Sequence, residues 1–228
     1  MGALDRYRSQ WPRVGGVLAM ALGGATTLSA KRMTTPQLLS TVNLGALLVH
    51  QYEEYVDPGW FPGQFNHGVF KSDQPRNYPL NTNTACLINT SLAYPFYIAP
   101  ILFPKKKWLG LAPVFFGMSQ AVGHGVIFPR IAGDKYSPGF LASFFLHVPI
   151  GLRYNGELKA QGGLRRSDVV KGIAYAAGFA AIAVAGPNFV GRSKHSPHGF
   201  SEAQMGRHDV TPQDDQSSNP AIRQADQT

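Results

Sequence analysis

What most restricts the folds open to this chain is a series of apolar runs, each about as long as a bilayer is thick. Thr84 to Phe103, Trp108 to Phe128 and Pro138 to Leu152 carry no charge, and Val169 to Val190 carries only Lys171. A spanning helix needs about 20 apolar residues, so the Pro138 run is the shortest candidate. The runs lack the polar stripe that a soluble bundle would show. Two more helices precede them. Val14 to Ala30 is uncharged and rich in Gly, Ala and Thr. It reads as a small-residue helix packed on its neighbours, or else as a signal peptide with Leu28-Ser29-Ala30 as a weak cleavage site. Pro36 to Tyr55 follows, with Thr35 as N-cap and Pro36 at the first helical position. The expectation is an all-α, polytopic transmembrane bundle of five to six spans over residues 14–191. A basic segment, 1–13, precedes it, and a polar tail, 192–228, too poor in apolar residues to order itself, follows.

Composition narrows the partners. Of 228 residues, 15% are charged and 11% aromatic, and the net charge is +8. The mean hydropathy of -0.12 averages the apolar runs with the polar tail. The basic residues fall in short clusters between the runs, at Lys31-Arg32, Lys105-Lys106-Lys107 and Arg165-Arg166. That is the bias of cytoplasmic loops, and nucleic acid is excluded as a partner. A lone cysteine, Cys86, rules out an intramolecular disulfide or a thiolate zinc cluster. The Gly-, Pro- and aromatic-rich stretch from Asp57 to Asn81 reads as an ordered loop on the membrane face.

The chemistry concentrates at the end of the second helix. His50, Glu53 and Glu54 stand at i, i+3 and i+4 and share a face. Asn43 lies two turns earlier, about 20° off His50 at roughly 100° per residue. One imidazole and two carboxylates suit a divalent metal such as zinc, iron or manganese, or a proton-handling site. At about 1.5 Å per residue, His50, Asn89, His124 and His147 lie roughly 6–14 Å from the same membrane face, on four helices. A shared site in a bundle core produces that coincidence. A carboxylate in the bilayer costs about 2.5–3.5 kcal/mol on insertion scales, so Glu53 and Glu54 call for partners unless they reach the interface. Gln120, one turn before His124, is a candidate to orient it. Tyr136 is a candidate interfacial anchor, Pro138 a helix-starting proline and Gly139 a close-packing position.

His50-Gln-Tyr-Glu53-Glu54, the additional His124 and Tyr136-Ser-Pro-Gly139 appear in this order. In these three motifs the chain resembles the HXXEE-domain family, integral membrane proteins of unknown function, over roughly residues 38–153. The resemblance implies a fold and a motif set and no activity. The residues themselves suggest a divalent-metal site of His50, Glu53, Glu54, His124 and His147, supported by Asn43, Asn89, Gln120, Tyr136, Pro138 and Gly139. As an enzyme it would activate water, with Glu53 or Glu54 as general base, on a lipid or membrane-peptide substrate. A proton-coupled carrier and a structural protein with polar interhelical glue are the alternatives.

Overall fold

The computed structural model describes residues 2–210. Among them the regular structure is helical, in six long helices: α1 (Ala3–Ser29), α2 (Thr35–Tyr55), α3 (Thr82–Leu102), α4 (Lys107–Ala132), α5 (140–160) and α6 (Arg166–Val190). Of these, α3, α4 and α6 are long and apolar enough to cross a bilayer. The other three dilute their apolar residues. α1 begins inside the basic segment, at Ala3, and carries Arg6, Arg8 and Arg13 through an interior Pro12. α5 ends with Arg153, Glu157 and Lys159. α2 buries Asn43, His50, Gln51, Glu53 and Glu54.

α2 is the hub. Thr34, one residue before the expected cap, starts it: its hydroxyl accepts from the Gln37 amide and the Gln37 carboxamide returns to the Thr34 amide. This is a capping box, and it leaves Pro36 at the second helical position. α1, α3 and α5 all pack on α2. α4 lies against α5 and α6, and Phe96 of α3 stacks on Phe179 of α6 at 4.0 Å.

The stretch after α2 is ordered, as expected, around a helical segment at residues 61–69. Asn66 is fully buried and is the internal tie of this loop. Its side-chain amide donates to the Pro75 and Leu80 carbonyls, and its carbonyl accepts from the Leu80 amide.

The tail departs from expectation between residues 192 and 210. Few apolar residues occur there, but Phe200 and Met205 are buried in one core cluster with Trp11 and Tyr55. The Phe200 amide donates to the Arg76 carbonyl and the Gln204 side chain to the Tyr55 carbonyl. His208, one of three histidines in this polar stretch, donates to or shares a proton with the buried Asp134 at 2.9 Å. Arg207 pairs with the same carboxylate. The segment is therefore a strap that closes one end of the bundle. The disorder expected for the remainder concerns 211–228, outside the described residues.

Burial pushes the His208 imidazole below its ordinary range, against the pull of Asp134. A histidine held low in the folded state stabilises fully above its unfolded value, about 6.5, and the contribution is lost as pH falls from there toward the folded value. Protection factors over residues 198–208, that is, exchange corrected for its intrinsic base-catalysed rate, should therefore fall on going from about pH 7.5 to about pH 5.5. His208→Gln should flatten that dependence. Protection factors that hold or rise at the lower pH would contradict the assignment.

Candidate metal centre

His50 and Glu54 come from adjacent turns of α2 and His124 from α4. All three are buried, and their ligand atoms lie within 4.8 Å of one another. Glu54 Oε1 is 3.4 Å from His50 Nε2 and 3.3 Å from His124 Nε2. The two imidazoles meet edge to face, with ring centroids 5.0 Å apart.

The far side of each ring is fixed by the loop between α4 and α5. His50 Nδ1 lies 3.0 Å from the Gly139 carbonyl oxygen and 3.1 Å from Ser143 Oγ. His124 Nδ1 lies 3.0 Å from Ser137 Oγ. The Gly139 carbonyl can only accept, so His50 carries its proton on Nδ1. Its Nε2 lone pair then faces an anionic oxygen unless a proton or a cation lies between them. Metal-bound histidines have this arrangement, one nitrogen tied to a carbonyl or hydroxyl and the other turned to the ion. The two distances to Glu54 Oε1 fit too. Bonds of about 2.0–2.1 Å in a tetrahedral site put neighbouring ligand atoms about 3.3–3.4 Å apart.

Gly139 has φ +103°, in the left-handed region open to glycine. A Cβ there would come within 2.8 Å of His50 and 2.9 Å of His124. The glycine is thus required both by its backbone and by the two rings closing over it. α5 starts only at Phe140, so Pro138 precedes the helix and is not its first residue.

Glu53 does something different from Glu54. Its Oε1 accepts from the Leu141 amide at 3.0 Å and from the Tyr136 hydroxyl, and its Oε2 from the Ala142 amide at 2.8 Å. It is a side chain from α2 capping the N-terminus of α5, where the helix dipole favours a carboxylate. Burial, with Glu53 alongside, pushes the Tyr136 hydroxyl up, so it stays protonated and donates. Both oxygens of Glu53 are occupied, and it lies outside the cluster of Glu54 and the two histidines.

His147 stands beside the cluster, its ring 5.8 Å from that of His50. Its Nδ1 meets Asn43 Oδ1 at 2.8 Å, so Asn43 orients His147 and does not reach His50. Its buried Nε2 has no hydrogen-bond partner among the described residues. Asn89 joins Gln51, whose side-chain nitrogen donates to its carbonyl and carboxamide oxygens. The expected contact of Gln120 with His124 is replaced by Ser137, because the loop reaches the ring from its other side. Gln120 and Asn89 line a cavity next to the cluster.

Ser137 and Ser143 were not singled out from sequence, although Ser137 fills the variable position of the Tyr136–Gly139 motif and Ser143 follows Gly139 by one turn. A second signal was also available. His124 and His147 each sit in a π-helical turn, Gly123–Ile127 and Ser143–His147, two of five π-helical segments among the described residues. These two and Phe179–Ala185 are followed two residues later by a proline, Pro129, Pro149 or Pro187, whereas Gln64–Val69 and Leu87–Leu92 are not. Proline lacks the amide that would close the regular ladder, and such widened turns recur at functional sites.

The fold and the cluster define a helical-bundle protein with apolar, bilayer-length helices and a buried His/Glu group. The chain belongs to the HXXEE family, described as "Protein of unknown function with HXXEE motif", whose model matches residues 41–154, half of the chain. Neither a curated protein nor a solved structure matches it.

Gly139→Ala should lower stability by roughly 1–3 kcal/mol from the forced backbone alone and displace both rings. Thermal unfolding and the imidazole NMR resonances of His50 and His124 measure this. Unchanged melting with unchanged resonances would refute the role given to Gly139.

Proposed function

We propose that the protein is an integral membrane bundle, crossed by five or six of its helices, that binds one divalent transition metal through His50, Glu54 and His124. The observation that carries this is the pair of Nε2 atoms facing one carboxylate oxygen at tetrahedral ligand spacing, each imidazole fixed from behind. Two histidines and one carboxylate suit zinc with an open fourth position, and equally the open-sided iron sites of oxygen chemistry. Manganese is the third candidate. When bound, such a metal supplies Lewis acidity and an activated water. The chain's own part is to exclude solvent and to fix the two rings through Gly139 and Ser137. Hydrolysis or modification of a lipid or membrane peptide is the reaction class this arrangement favours.

Glu53 takes no part as ligand or base in this reading. Its three donors occupy it, and it acts by setting α5, and with it Ser143 and His147, against α2. His147 is a neighbour of His50, held by Asn43, and stands outside the ligand set in this reading.

The same contacts support a second reading, in which the polar groups serve only as glue between helices. Metal analysis of the purified protein separates the two. Close to one equivalent of zinc, iron or manganese is expected, lost in His50→Ala, Glu54→Gln and His124→Ala. Glu53→Gln should keep the metal and melt lower. Ser137→Ala should weaken metal affinity by about 10–100-fold. A wild type that holds no metal after purification and takes none up from zinc, iron or manganese solutions would leave the glue reading standing alone.

A further inference from the structure

The cluster forms one end of a cavity of about 270 Å³. His50, Glu54, His124 and Asn188 supply polar groups to it, and Leu47, Ala93, Phe116 and Phe179 line its apolar part. Counted along the helices at about 1.5 Å per residue, Glu54 and Asn188 lie within roughly 5 Å of the helix ends on one face. Leu47 and Phe179 lie roughly 12–17 Å further in than that face, toward the middle of the bundle. The cavity therefore runs from the His50 and Glu54 groups near that face inward past Leu47, Phe116 and Phe179, with Ser119 and Gln120 on its α4 side.

It also has a way out sideways. A shallower groove of about 230 Å³ runs between α4 and α6 and shares Phe116, Ser119 and Ala180 with the cavity. The groove reaches Ile173, which is exposed on the outer side of α6. α4 and α6 are two of the helices apolar and long enough to span a membrane. An opening between them faces hydrocarbon, not water. Among the described residues, the buried Asn188 Oδ1 has no hydrogen-bond partner, while its amide nitrogen donates to the Val184 carbonyl. An unpartnered buried acceptor on a cavity wall marks a place for a ligand's donor.

We infer that the cavity holds a single-chain amphiphile whose head can donate a hydrogen bond, such as a long-chain alcohol. The head lies at His50, Glu54 and Asn188, and the chain enters from the bilayer between α4 and α6. A volume of 270 Å³ takes roughly nine groups the size of a water or a methylene, at about 30 Å³ each. That is one chain, with its remainder in the groove. This rests on the membrane reading proposed above but does not need the metal. The wall from α6, with Asn188, lies outside residues 41–154, so the family match does not cover it.

The test uses the full chain in lipid nanodiscs and a spin-labelled long-chain alcohol as probe. Ala180→Trp fills the mouth of the cavity without touching His50, Glu54 or His124, and should weaken probe binding about ten-fold with metal content unchanged. Ser119→Leu is a milder second block, for use if the first variant misfolds, and should act in the same direction. Probe binding that both folded variants retain, or no saturable binding by the wild type, would overturn the inference. Saturable binding that these variants abolish in a protein without metal would uphold it while the metal reading fails.

Discussion

Two adjacent carboxylates are taken out of water at the end of α2, and the arrangement of the helices around them follows from how each is compensated. Moving a carboxylate from water into a protein interior costs several kcal/mol even after relaxation. Glu53 is compensated by two backbone amides and a phenol. Charge-assisted hydrogen bonds contribute about 1.5–3 kcal/mol each, so three of them offset the cost. They also lock α5 to α2 at a fixed register. Glu54 has two imidazoles instead. Those rings balance its charge only with a proton or a cation between the atoms. The neighbouring glutamates are thus one structural and one chemical group.

The loop from Tyr136 to Gly139 joins the two tasks. Tyr136 serves Glu53, Ser137 serves His124 and the Gly139 carbonyl serves His50. A four-residue turn therefore positions Glu53 and His50, 83 and 89 residues away in the chain, together with His124, 13 residues away. Moving this turn would disturb the cap on α5 and both rings together.

The end of the bundle beyond this turn is closed by polar contacts of a different kind. Asp134 lies just before Tyr136 and is buried among Gln64, Arg207 and His208. Trp60 touches both Tyr136 and His208. The strap is thus connected to the turn that orients the histidines. Its apolar anchors, Phe200 and Met205, are only two residues in a polar stretch, but each finds a ready-made pocket.

Helical class, bilayer-length apolar runs and the juxtaposition of His50 with Glu54 are set by the sequence alone, because helical periodicity and hydropathy are local properties. The resemblance in three ordered motifs pointed to His124 and to the turn at Gly139 in the same way. Only the tertiary structure decided which carboxylate joins the histidines. Glu53 and Glu54 are chemically identical and adjacent, and about 100° of helical rotation separates the amides of α5 from the ring of His124. Tertiary packing likewise decided that Ser137 orients His124, that Pro138 stays outside α5, and that residues 192–210 order on the bundle. A long-range contact depends on where a distant surface lies, and no local pattern encodes that position.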